Sequence, residues 1–304
     1  MQNVKRILVA SDMSESSALA EIRAARLCQR FGLAELDVVN VQGTGFADVL
    51  GQILAGTGEK SRELLIDQVS RDFEPIRTRL FAEFGIRTKL TILFGRPSVE
   101  IAQYAKKSNA DLIVVGAKRP RLGRKFFLGN TPDRLLHVTP APLLIVRQKS
   151  DNPYQNALVP VDFSPNSIYA ARVAVEVMLP ASRKTFLHAY DIPNEGLMRY
   201  ANVSADLISN YRENAKKKAE DEMTRLFASL RSDNRVSSII QYGSATKMIE
   251  DYVNANTPDL IVMGKQGRSG LENLLLGSTT RNTVNETSCD ILVVPLKQAA
   301  GEAT

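Results

Sequence analysis

Two tandem α/β domains, each a doubly wound parallel sheet with helices on both faces, are what this sequence predicts, and three observations carry the prediction. The chain has 304 residues, and at about 150 residues per domain that length fits two domains, each with its own core. Residues near 10 recur near 160. Within each copy, short β-branched runs alternate with longer segments of helical apolar spacing, the pattern of strands joined by crossover helices.

The repeat rests on four anchors in the same order at nearly one offset. Val9-Ala10-Ser11-Asp12-Met13-Ser14 matches Val159-Pro160-Val161-Asp162-Phe163-Ser164, and Phe94-Gly95 falls on Tyr242-Gly243. Asp111-Leu112-Ile113-Val114-Val115-Gly116 matches Asp259-Leu260-Ile261-Val262-Met263-Gly264, and Leu128-Gly129-Asn130-Thr131 falls on Leu276-Gly277-Ser278-Thr279 without a gap. The polar stretch from Lys149 to Asn156, which holds Pro153, reads as a short linker and divides the chain into 1–150 and 151–304.

In chain order, the apolar runs of the first copy predict strands at 5–10, 35–41, 87–94, 111–116 and 142–147. The second copy predicts strands at 156–161, 184–190, 236–242, 259–264 and 290–295, with helices over 165–178, 204–231, 244–256 and 278–287. Ser164 can cap the first of these helices, and Pro165 takes the first helical position, where a missing N–H costs nothing.

Composition narrows the class. Apolar residues make up 44% and charged residues 24%, which excludes a largely disordered, collagen-like or coiled-coil chain. Residues 1–150 carry 23 Lys and Arg against 15 Asp and Glu, a net of about +8, whereas 151–304 carry 16 against 18, about −2. The halves are therefore expected to meet different partners, unless the excess is ordinary surface charge. Cys28 and Cys289 lie far apart with no CxxC or Cys/His spacing, so neither a disulfide framework nor a zinc site is expected. His137 and His188 are the only histidines and read as structural. No signal-peptide core opens the chain and no apolar run approaches the ~18 residues of a membrane span, so a cytoplasmic protein is expected.

In an open doubly wound sheet, ligands bind beyond the carboxyl ends of the strands where the strand order reverses. If the first strand neighbours the fourth, two loops of the second copy face one another there. One holds Asp162, an acceptor suited to a ribose hydroxyl or a base amine. The other runs Gly264-Lys265-Gln266-Gly267-Arg268-Ser269-Gly270 and reaches Leu276-Gly277-Ser278-Thr279 at the next helix start. Glycines allow close backbone approach, and a helix N-terminus offers amides and partial positive charge to an anion. Taken alone, these glycines read equally well as turn residues.

The spacing Gly264-x2-Gly267-x9-Gly277-Ser278, paired with the upstream Val159-Pro160-Val161-Asp162, resembles the ATP-binding signature of the universal stress protein family, and both halves match that family's layout over almost the whole chain. The resemblance implies five-stranded domains of strand order 3-2-1-4-5 paired through their fifth strands, making a pseudo-dimer within the chain, with further pairing between chains left open. It implies a stress-response sensor or regulator that binds ATP, ADP or AMP, with or without Mg2+, and answers to a protein partner. Carried over by position, adenosine contacts fall on Pro160, Val161 and Asp162, with the backbone of Ala189 near adenine and Met263 and Gly264 flanking the ribose. Gly267, Gly277, Ser278 and Thr279 would hold the phosphates, helped by Arg268. Nucleotide would order the loop from Lys265 to Leu276. Two other readings stand beside this one: slow ATP hydrolysis, and an adaptor on the same fold that binds no nucleotide.

The first copy departs from the pattern, reading Gly116-x2-Arg119-x9-Gly129-Asn130. Arg119 replaces a glycine and Asn130 a hydroxyl residue, while Asp12 is retained, so a degenerate first site is expected. Against that, Lys118, Arg119, Arg121, Arg124 and Lys125 can clasp an anion through their side chains. The same run with Phe126 and Phe127 admits a nucleic-acid reading, which is disfavoured because an apolar residue before the last glycine is expected to be buried under its loop. Gly56-Thr57-Gly58-Glu59-Lys60-Ser61 imitates the end of a phosphate-binding loop, but Ile53 stands where its first glycine is required. Lys216-Lys217-Lys218 reads as a solvated helix face.

Overall fold

The computed structural model describes residues 4–43, 58–117, 128–139, 141–149, 152–230, 235–267 and 276–296. They form two compact units built on residues 1–151 and 152–289, with the last strand divided between them, Asp290–Leu292 to the first and Val293–Leu296 to the second.

The first unit runs β1 (Ile7–Ala10), α1 (Glu15–Phe31), β2 (Glu35–Gln42), α2 (Gly58–Phe84), β3 (Arg87–Phe94), α3 (Pro97–Ser108), β4 (Leu112–Gly116), α4 (Asn130–Val138) and β5 (Leu143–Val146). Its strands lie in the order β3-β2-β1-β4-β5, paired in parallel, so the order reverses between β1 and β4 as expected. The second unit runs β6 (Asn156–Pro160), α5 (Pro165–Val177), β7 (Arg183–Tyr190), α6 (Glu195–Tyr200), α7 (Ala205–Ser229), β8 (Val236–Tyr242), α8 (Ala245–Asn256), β9 (Leu260–Gly264), α9 (Ser278–Glu286) and β10 (Asp290–Val294). Its order is β10-β9-β6-β7-β8, with β6 parallel to both β7 and β9.

The central strands are buried on both faces, as parallel strands between helix layers must be. Ile7, Leu8 and Val9 are fully buried, and so are Ala157, Leu158 and Val159. Each large side chain so buried contributes about 1.5–3 kcal/mol. A shared clamp sits where these strands start. Asp111 accepts from the Lys5 and Arg6 amides at 2.8 and 3.1 Å, and Asp259 from the Gln155 and Asn156 amides at 2.7 and 3.1 Å. The first strand begins at Ile7 rather than 5, after its two clamped amides, whereas β6 begins at Asn156, whose amide is itself clamped. Ser14 and Ser164 cap α1 and α5, accepting from the amides of Ser17 and Ser167.

Helix α6 was not expected from sequence. Six residues are too few to show a periodicity, and tertiary contacts hold it instead. The Glu195 carboxylate accepts from Arg199 Nε at 3.0 Å, from Arg212 and from the Tyr242 hydroxyl. Arg212 first, then Tyr242 and Arg199, draw the Glu195 pKa down to about 2. Both cysteines are buried, and burial, aided by the charge of Asp37, pushes the Cys28 thiol up to about 12. His188 is structural: its Nδ1 lies 2.8 Å from the Val161 carbonyl and its ring centroid 4.4 Å from that of Phe163. Among the described residues no helix is long and apolar enough to cross a membrane.

Candidate functional site

Each unit presents the same turn where its sheet order reverses. In the second unit β6 ends at Pro160, and the Val161 amide still donates to Leu187 of β7 at 2.9 Å. The chain then breaks away at Asp162. Phe163 takes φ 60, and the Asp162 Oδ1 accepts from the Ser164 amide at 3.0 Å and its hydroxyl at 2.6 Å. The first unit repeats this, with Met13 at φ 60 and the Ser14 amide 3.1 Å from Asp12 Oδ1. The turn fixes one carboxylate at the carboxyl end of each first strand.

Across from Asp162 lies the loop that follows β9. A Cβ added to Gly267 would stand 2.6 Å from Asp162 Oδ2, and one added to Gly277 would stand 3.7 Å from the Gly267 amide nitrogen. The Gly277 amide donates to the Lys265 carbonyl at 3.0 Å, and the Thr280 hydroxyl to the Gly264 carbonyl at 2.9 Å. The fold therefore brings Asp162, Gly264, Gly267 and Gly277 to one place, with Ser278 and Thr279 opening α9 beside them. Met263 and Gly264 end β9, and Pro160 ends β6 two residues beyond Leu158, which pairs with Ile261 of β9. Ala189 stands in β7 two residues beyond Leu187, the last residue paired with β6. Lys265 is buried, which pushes its ammonium pKa down. Arg268 lies outside the described residues, as does the loop through residue 275.

The first unit holds a cavity of about 310 Å3 at the matching place, and Asp12, Gly116, Gly129 and Asn130 all line it. Arg119 and the rest of the basic run through Lys125 lie outside the described residues, with Phe126 and Phe127. Gly58 to Ser61 belong to helix α2; the rest of the loop imitation also falls outside them.

The two copies use their glycines differently, which the letters alone do not reveal. Gly129 sits at φ 89, ψ 153, a conformation open essentially to glycine only. A Cβ on Gly116 would stand 2.1 Å from the Ser16 carbonyl oxygen, so the close approach of α1 requires that glycine too. Gly277 has neither reason. It sits at φ −60, ψ 146, and its added Cβ would meet nothing nearer than 3.5 Å among the described residues. Nor does any side chain cap α9.

The helix starts differ as well. The first turn of α9 reads Ser278, Thr279, Thr280 with Arg281 next, all with amides intact and no acidic residue. At the aligned positions of α4 stand Asn130, Thr131, Pro132 and Asp133. Pro132 removes one amide donor, and Asp133 supplies negative charge to the helix end. The repeat alignment contained this signal, and only the exact helix starts give it meaning.

The model of the Universal stress protein family matches residues 3–147 and, again, 153–295. The chain belongs to the universal stress protein family. A curated relative, universal stress protein MJ0531 of Methanocaldococcus jannaschii, is 25% identical over 144 residues, covering 47% of this chain and 82% of its own. A universal stress protein structure from Archaeoglobus fulgidus superposes with a TM-score of 0.65 at 19% identity, covering 96% of this chain and 99% of the other. A further solved universal stress protein is described as a complex with cAMP; it is 20% identical, covers 48% of this chain and 99% of its own, and has a TM-score of 0.32. As a tandem universal stress protein, the chain carries both family domains on the strand order expected of them.

Proposed function

We propose that this tandem universal stress protein is an adenine-nucleotide-responsive regulator whose second domain holds the nucleotide. The observation that carries the reading is Gly277, a glycine that neither its own backbone torsions nor its packing among the described residues requires. It opens an uncapped helix whose first residues, Ser278 and Thr279, offer amides and hydroxyls together. A phosphate would approach the backbone there without a side chain in its way, facing the positive end of α9. Asp162, held in its turn by Ser164, accepts from ribose or base donors. Pro160, Val161 and the Ala189 backbone border the base, and Met263 and Gly264 the ribose. Gly267 lets the loop lie against Asp162. Arg268 and a divalent ion such as Mg2+ would add charge at the phosphates. The first domain, with Pro132 and Asp133 at its helix start, does not share the phosphate role. The response would pass to a protein partner through the loop that follows β9.

Calorimetric titration of ATP with magnesium into nucleotide-free wild type and Gly277→Asp tests the reading. Aspartate is a good helix cap, so the variant keeps its fold while placing a carboxylate where phosphate would sit. One site per chain, weakened about 100-fold or more in the variant, is expected. Absence of binding to wild type would leave an adaptor on the same fold.

A further inference from the structure

A strand that pairs on one side only turns its outer backbone groups to solvent, where they are a template for another strand. In the second unit that strand is β8, which among the described residues pairs with β7 alone. The Gly243 amide donates to the Tyr190 carbonyl at 2.9 Å, and the Lys184 amide to the Arg235 carbonyl at 3.0 Å, so residues 235 and 243 turn their backbone groups toward β7. With a period of two, Ser237, Ile239 and Gln241 do the same, while Val236, Ser238, Ile240 and Tyr242 turn theirs outward.

Nothing in β8 guards this edge. Its residues, Val-Ser-Ser-Ile-Ile-Gln-Tyr, include no charge, no proline and no glycine, and Ser237, Ser238, Gln241 and Tyr242 are exposed. The matching strand of the first unit, β3, is guarded: Arg87 and Lys89 are both exposed along it. Apolar surface continues past the carboxyl end of β8. The Tyr242 hydroxyl donates to Glu195 of α6, and Arg212 of α7 lies over its ring, 4.2 Å from the centroid. Those two helices carry the exposed side chains Leu197, Tyr200, Leu207 and Tyr211.

The strand's own sequence says what fits the edge. In an antiparallel pair related by a two-fold axis through Ile239, all seven residues find a partner. Val236 and Tyr242 exchange backbone hydrogen bonds, as do Ser238 and Ile240, which uses every outward group; Ser237 meets Gln241, and Ile239 meets itself. An aromatic opposite a β-branched residue and a hydroxyl opposite an amide are favourable pairs, and no like charges meet. Such a contact is self-complementary and closes on two copies.

We propose that β8 is a dimerisation edge, and that its occupant is β8 of a second copy of this chain, paired antiparallel about Ile239. The pairing does not depend on nucleotide in either domain. One strand pair is a small interface, so the dimer is a weak one that forms as concentration rises.

Sedimentation equilibrium of the full chain from about 5 to about 500 μM tests this, and the mass should rise from one chain toward two. Ser238→Pro removes an outward amide and leaves the β7 ladder intact; Ser238→Lys gives the edge the charge that β3 has. Each should weaken the dimer about tenfold or more while leaving the circular dichroism spectrum unchanged. Oxidative cross-linking reads the register, the native cysteines being buried. Opposed residues at position 239 stand about 4.5 Å apart between Cα atoms, within disulfide reach. Ile239→Cys should therefore give a linked dimer, and Gln241→Cys, which lies opposite Ser237, should not. A wild type that stays monomeric over that range overturns the proposal. So does a dimer that survives both Ser238 variants, or one that fails to link through Ile239→Cys.

Discussion

Helices α4 and α9 occupy the same place in the two repeats, each begins at a glycine, and each follows a buried apolar residue, Leu128 or Leu276. One glycine is there because the backbone passes through φ 89; the other has an ordinary φ of −60. The same letter at the same repeat position thus answers to two different constraints. Where torsion or a close neighbour demands glycine, its retention records the fold. Where neither does among the described residues, the fold leaves the glycine unaccounted for, and the proposed phosphate at the helix N-terminus would account for it.

The largest effect expected from this contrast is at the glycines that end β4 and β9. A methyl at Gly116 would lie 2.1 Å from a backbone oxygen of α1, whereas one at Gly264 would lie 3.1 Å from the Asn166 backbone carbon. Gly116→Ala should destabilise the first unit by about 3 kcal/mol and Gly264→Ala the second by about 1 kcal/mol. Hydrogen exchange of the β4 and β9 amides in the full chain reads the two units separately. Equal losses would mean that α1 yields as easily as α5, and the distinction between the copies would fail.

The helix-start glycines come next. Gly129→Ala forces a side chain into a glycine conformation and should cost about 1–3 kcal/mol. Gly277→Ser should be neutral or stabilising by a few tenths of a kcal/mol, because serine caps a helix at least as well as glycine. The same serine should weaken ATP. A variant that holds its melting temperature and loses nucleotide would separate ligand constraint from fold constraint at one residue; a melting temperature that falls as far as for Gly129→Ala would merge them.

Much of this architecture was legible in the sequence, and for a physical reason. Parallel strands buried on both faces leave continuous apolar runs, and the Asp-x-Ser turns leave a fixed spacing, so all ten strands lie within about two residues of where the repeat put them and Ser164 caps α5 as expected, with Ser14 doing the same for α1. Helix α6 was not legible, because the Glu195 carboxylate that anchors it draws on Arg212 and Tyr242, 17 and 47 residues away. The motif points to the loops that the second unit brings together, but Arg119, which with Asn130 carries the expectation of a degenerate first copy, lies outside the described residues. Pro132 and Asp133, inside them, make the stronger physical case.

The smallest expected effect lies beneath the first cavity. Ser11, which lines it, donates to Glu21 Oε1 at 2.6 Å, while Arg79 lies 3.1 Å from Oε2 of the same buried carboxyl. The repeat puts Val161 and Ala171 at the positions of Ser11 and Glu21, so the second unit has no counterpart. Burial raises the Glu21 pKa above its ordinary value near 4.5; the hydrogen bond from Ser11 and the charge of Arg79 oppose the shift without cancelling it, and Asp12 adds to it. A carboxyl that holds its proton more tightly in the folded chain favours folding below the unfolded pKa, and that advantage is lost as pH rises through the folded pKa. Glu21→Gln does not titrate. The stability of wild type relative to this variant should therefore fall as pH rises from about 4 toward 7, read as the shift in urea midpoint for the first unit. A difference that grows with pH would mean that the Arg79 pair outweighs burial, and that the polar floor of the first domain stabilises it at neutral pH rather than being carried at a cost.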